Sequence, residues 1–281
     1  MLRALNDSFS LIVDENEILP QCGFQVTKIN NSIHTNVFRE LQFIHDFVQK
    51  TIVLCLTKFH NEDLFDGSID ISKFRNLRTL EIEKVPIKRI VGIQQLRSQL
   101  KEIICIRCIT STREIISDCG GDNSNGFMWN ELKRLDLSYN TMEKVDSFEF
   151  TPYVQYLNLS HNQINNVSAI KWLPNLKILN LSYNQLTHIP KFNTETYRRL
   201  QVLIINDNFV EDVSGLDRMV ALTELDLGGN CMLDHSMLLP LSTLCALFYL
   251  NLMGNPLACH PKHRVATARY LNKNAATVKV N

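Results

Sequence analysis

The chain has no excess of either charge. Lys plus Arg and Asp plus Glu each number 29, and a formal net charge of zero over 281 residues supplies no field to draw in DNA, RNA or an anionic membrane. It also lacks an apolar run near the roughly 18 residues a membrane span needs. The N-terminal stretch MLRALNDSFSLIVDENEILP places Asp7, Asp14, Glu15 and Glu17 where a signal peptide needs an uninterrupted apolar core. A soluble, intracellular protein is therefore expected, with no nucleic-acid partner and no membrane insertion. Its eight scattered cysteines then belong to a reduced pool rather than a disulfide framework.

Signatures of chemistry are equally scarce. Cys105 and Cys108 have C-x-x-C spacing, but no second pair follows and both fall at inward positions of a repeat. Cys259, His260 and His263 fall short of a closed tetrahedral metal site. The stretch CGGDNSNG, residues 119 to 126, lacks the Gly-Lys-Ser/Thr of a phosphate loop and is expected to be a mobile surface loop. No Ser, His and Asp arrangement stands out. These absences argue against an enzyme and imply no cofactor and no metal.

What the chain does have is a repeated phrase. LKRLDLSYN from Leu132 recurs as VQYLNLSHN from Val154, LKILNLSYN from Leu176, LQVLIINDN from Leu200, LTELDLGGN from Leu222 and LFYLNLMGN from Leu247. Two degenerate copies precede it, LRTLEIEKV from Leu77 and LKEIICIRC from Leu100. This is the leucine-rich repeat pattern, L-x-x-L-x-L-x-x-N/C. Successive starts differ by 23, 32, 22, 22, 24, 22 and 25 residues, and the short steps resemble the sds22-like subclass.

Each copy predicts one coil of a solenoid. Its L-x-L segment forms a short parallel strand whose leucines point inward, while the residues between them line a concave sheet. One coil cannot bury its own leucines, so stacking stabilises it. Asn140, Asn162, Asn184, Asn208, Asn230 and Asn255 hold inward positions, where a side-chain amide can satisfy backbone groups that the turning chain leaves unpaired. Cys108 takes that slot in the second copy. Val85 takes it in the first, which marks a weaker, terminal coil.

The expected architecture is an α/β leucine-rich repeat solenoid with a parallel concave sheet. Residues 1–56 form a helical N-terminal cap, with Val37, Leu41, Ile44 and Val48 at helical spacing, and a preliminary strand from TIVLCL. Residues 57–258 hold about eight repeats, with an insertion loop near 109–131. Residues 259–281 form a C-terminal cap and a tail without a closing motif.

Function then rests on the exposed concave side chains. Tyr139, Tyr156, Tyr183 and Tyr249, with Ile178, Val202, Ile204, His161 and Asp207, form the candidate partner-binding patch, because aromatic residues dominate interface energetics. Asn158 and Asn180 lie on the same face.

The stretches LQFIHDFVQKTIVLCL, SQLKEIICIRCITSTREIISDCGGD and NPLACHPKHRVATARYL resemble the N-terminal region of the serine/threonine-protein kinase 11-interacting protein family. That resemblance covers about residues 38 to 272 and implies a cytoplasmic, non-catalytic scaffold that binds a serine/threonine kinase and influences its localisation. Members of that family carry further domains after the repeats. Two alternatives remain open from the residues: a phosphatase-regulatory subunit using the same face, and a metal or redox protein using Cys105, Cys108 or Cys259.

Overall fold

The computed structural model describes residues 32–58, 67–146, 148–272 and 279–280. The expectations for residues 1–31 fall outside them. Ten strands form one parallel sheet in the order β1 (Val53–Thr57), β3 (Thr79–Glu83), β5 (Glu102–Ile106), β6 (Arg134–Asp136), β7 (Tyr156–Asn158), β8 (Ile178–Asn180), β9 (Val202–Ile204), β10 (Glu224–Asp226), β11 (Tyr249–Asn251) and β12 (Lys279–Val280). A small parallel ribbon pairs β2 (Ile69–Asp70) with β4 (Ile90–Val91). In register, Leu135, Leu157, Leu179, Leu203, Leu225 and Leu250 stack as one buried column. The repeat spacing thus becomes a continuous core, with short 3-10 turns such as Ser168–Trp172 and Leu216–Arg218 on the opposite side.

The asparagine column joins each coil to the one before it. Asn184 accepts from the Ile164 backbone N–H at 2.9 Å and donates to the Leu159 carbonyl at 2.9 Å and the Leu181 carbonyl at 3.1 Å. Asn162 repeats this geometry one coil earlier, towards Met142 and Leu137. Asn208, Asn230 and Asn255 repeat it later, accepting from Leu186, Val210 and Met232. Asn140 accepts from Cys108 and Ile109 and so closes the column. At Cys108 itself the backbone takes over: the Ile87 N–H donates to the Cys108 carbonyl.

The N-terminal cap is the helix α1 (Ser32–Lys50), whose Val48 is buried and whose Ile44 packs on the core. It is fastened to the first coil by Gln49, which donates to the Lys73 carbonyl, and by Asn76, which donates to the Gln49 carbonyl. The preliminary strand is β1, paired with β3, so the coil carrying Val85 is not terminal in the sheet.

Two expectations are corrected. The insertion is not a bare surface loop: Cys119 and Gly120 are buried, and the Asp122 carboxylate accepts from the Gly92 and Gln94 N–H groups at 2.6 and 2.7 Å. Its glycines serve close approach rather than looseness. A Cβ on Gly120, where φ is +66°, would lie 2.6 Å from the Ile87 carbonyl oxygen, and one on Gly121 would lie 2.5 Å from that of Lys88. The chain end also does more than trail: Lys279 and Val280 pair with Tyr249 and Leu250 and extend the sheet by one strand.

Candidate interaction surface

Strand register converts the repeat into three lanes on the concave face. The first strand position carries Thr79, Glu102, Arg134, Tyr156, Ile178, Val202, Glu224 and Tyr249. The third carries Asp136, Asn158, Asn180, Ile204, Asp226 and Asn251. Tyr156, Ile178 and Val202 are therefore neighbours, half-buried, with Ile204 beside Val202's end of the strip. Tyr249 stands apart from them, because Glu224 intervenes.

The third lane is set by the backbone. Side chains at the end of each strand hold a tight turn: Asn158 and Asn180 accept from the N–H of Ser160 and Ser182, as Asp136 and Asp226 do for Ser138 and Gly228. Asn158 and Asn180 are thus turn-formers as well as surface residues. The residue before the column asparagine then adopts a left-handed conformation in every coil: φ is 55° at Tyr139, His161 and Tyr183, 56° at Asp207, 62° at Gly229 and 78° at Gly254. This costs a residue with a Cβ on the order of 1–2 kcal/mol.

The aromatic side chains offset part of that cost by stacking. Tyr139 and His161 have ring centroids 4.1 Å apart at an interplanar angle of 8°, and His161 and Tyr183 are 4.3 Å apart at 11°. Asp207 continues the row, and its charge and its hydrogen bond push the Tyr183 phenol above its ordinary range. Tyr139 and Tyr183 remain 46% and 49% exposed, so the column presents aromatic surface to solvent. Tyr139, His161, Tyr183 and Asp207 thus form one contiguous row.

The same lanes carry further charged residues that the sequence patch did not include. Arg134 lies over the Tyr156 ring, 3.9 Å from its centroid, while its Nε sits 2.8 Å from Glu102. Burial, and then the charge of Asp136, raise the Tyr156 phenol. Glu224 and Asp226 belong to the face as well. Their signal was positional: each is an x in L-x-x-L-x-L.

Cys105, Cys119 and the histidines of the C-terminal cap have structural surroundings. A hydrogen bond with Cys108, and then burial, hold the Cys105 thiol well above its ordinary value, the reverse of a reactive thiolate. Burial raises Cys119 to about 11. At the C-terminal cap His235 Nε2 lies 3.0 Å from His263 Nδ1, whereas Cys259 is exposed. Among the described residues no group of three His, Cys, Asp or Glu side chains is arranged to hold a metal ion. Nor is any described helix long and apolar enough to cross a membrane.

Burial, and then the neighbouring His235, Arg264 and His260, lower the His263 pKa. The unfolded chain takes up this proton below about pH 6.5, where the folded chain resists it. Stability from this site is complete above that pH and declines as pH falls. The melting temperature is expected to drop between pH 7 and 5, and His263→Gln to reduce that drop; equal pH dependence in the two proteins would contradict it.

Stacked coils, a ten-strand parallel sheet and an inward asparagine column define a leucine-rich repeat protein. Solved structures agree at the level of fold: internalin C2 from Listeria monocytogenes has a TM-score of 0.54 at 24% identity, covering 74% of this chain and 84% of that one. The leucine-rich repeat domain of APL1B has a TM-score of 0.53 at 19% identity, covering 92% and 71%. Leucine-rich repeat family models match residues 152–171 and 174–233, and the model described as LKB1 serine/threonine kinase interacting protein 1 matches residues 1–60. Proteins named serine/threonine-protein kinase 11-interacting protein are 41% identical in Mus musculus over 91% of this chain, and 36% identical in Gallus gallus over 86%. The chain is thus similar to these proteins over most of its own length. It spans about a quarter of the length of these relatives, 24% and 23% respectively.

Proposed function

We propose that this chain is a non-catalytic scaffold that binds a serine/threonine protein kinase on its concave face and influences the kinase's cytoplasmic localisation. The relatives' names supply the class of partner. The observation that carries the surface is the Tyr139–His161–Tyr183 stack beside the half-buried Tyr156, Ile178 and Val202. Stacking fixes the rings before a partner arrives, so little side-chain entropy remains to be lost on binding.

Purified serine/threonine kinase 11 should bind the wild-type chain, and the double variant Tyr156→Ala, Tyr183→Ala should bind about 30-fold or more weakly, as for loss of a central hot spot. Its stability should fall only modestly, because neither change empties a fully buried position and each lost ring contact is worth about 0.5–1.5 kcal/mol. Equal binding by both proteins contradicts the assigned face. Absence of kinase binding, or capture of a phosphatase catalytic subunit instead, contradicts the assigned partner. Imaging the kinase in cells with and without this chain tests the localisation.

A further inference from the structure

The concave face changes character along its length. Towards the N-terminus it carries cations: Lys84 lies 3.0 Å from Glu83, Arg134 joins Glu102 and Tyr156, and Arg107 is exposed at the left-handed position one coil after Lys84. From β8 to β11 the three lanes carry no lysine or arginine, yet they carry Asp207, Glu224 and Asp226. Among the described residues none of these three carboxylates is ion-paired; Asp207 meets Tyr183 and Asn206, and Asp226 meets Asn251 and Gly228. The next lane cation, Lys279 on β12, lies over the Phe248 ring.

The third lane also drops in height here. After two tyrosines, a histidine and an aspartate come Gly229 and Gly254, both left-handed and without side chains. A Cβ on Gly229 would meet the Asp207 carboxylate oxygen at 2.5 Å, so that carboxylate lies directly against the bare backbone of the next coil. Gly254 also lines a cleft of about 1070 Å³, whose walls are mostly apolar side chains including Leu233, Met237, Met253 and Pro256. Leu233 and Met253 are 71% and 62% exposed, far more than a core position requires. Uncompensated carboxylates and an adjoining apolar cleft are complementary to one kind of ligand.

We infer that the C-terminal half of the concave face docks an extended segment of the protein partner that presents an arginine or lysine to Asp207, Glu224 and Asp226 and places an adjoining apolar side chain in the cleft beside Met253. The assignment of a protein partner rests on the function proposed above; the chemistry of the segment does not depend on which protein supplies it. An arginine suits these carboxylates best, because its planar fork can meet two of them while lying against the exposed Tyr183 ring.

The test is selection of a phage-displayed random dodecapeptide library on the wild-type chain, followed by titration of the recovered peptides. Sequences pairing Arg or Lys with an apolar residue should be enriched. They should bind the variant Asp207→Asn, Glu224→Gln at least tenfold more weakly, and the salt dependence of binding should flatten. Replacing the peptide arginine by citrulline should weaken binding to the unaltered protein equally, which guards against a misfolded variant. No enrichment, enrichment of acidic or uncharged sequences, or indifference to both changes overturns the inference. Kinase binding measured beside it separates the two claims: basic peptides bound without the kinase remove only the kinase, whereas kinase bound without regard to these carboxylates removes only the basic segment.

Discussion

Asn184→Ala is expected to destabilise the chain by about 3 kcal/mol. The side chain is 6% exposed, and its carbonyl is the partner of the Ile164 N–H. The carbonyls of Leu159 and Leu181 each keep a second donor, Asn162 and Asn208, so they are weakened rather than orphaned. The Ile164 N–H has no such reserve. One buried orphan costs about 1–3 kcal/mol, and the lost bonds to the two carbonyls add about 1 kcal/mol between them. Asn184→Asp is a sharper version, because it keeps the acceptor for Ile164 but turns a second oxygen towards carbonyls and buries a charge. Both variants should unfold well below the wild-type urea midpoint; unchanged midpoints would remove the asparagine column as a source of stability.

The larger effect is expected at Trp129. This side chain closes the insertion, is fully buried and donates from Nε1 to the Ile116 carbonyl at 3.0 Å, while its backbone N–H bonds the Phe150 carbonyl. Trp129→Ala should cost about 3–5 kcal/mol as a large-to-small core change. Trp129→Phe keeps most of the bulk and loses the hydrogen bond, so it should cost clearly less. Were the insertion a solvated loop, both substitutions would fall within about 0.5 kcal/mol of wild type. Urea unfolding of the two variants separates these cases.

The contrast between these two residues shows what the sequence carries. The column asparagines were legible because every coil faces the same backbone problem and solves it at the same spacing. The insertion occurs once, so no second copy revealed that Gly120 and Gly121 fit against the Ile87 and Lys88 carbonyls. Glycine in a turn and glycine under a close contact look alike in one dimension. Likewise, the alternation of the strands placed Tyr156, Ile178 and Val202 on one face, but nothing in the identity of Tyr139, His161 or Tyr183 announces a left-handed backbone. Only that geometry brings their rings into stacking distance. Arg134, Glu224 and Asp226 occupy positions equally legible in the repeat, each an x in L-x-x-L-x-L.

The concave face as the binding surface is the central claim, and hydroxyl-radical footprinting of the chain with and without bound serine/threonine kinase 11 tests it most directly. Tyr139, Tyr156, Tyr183 and Met253 are expected to lose most of their oxidation on binding, while Trp172, 46% exposed beside the short turns of the opposite side, should be oxidised as before. Protection of Trp172 with the concave tyrosines still fully oxidised would place the partner elsewhere and contradict the account.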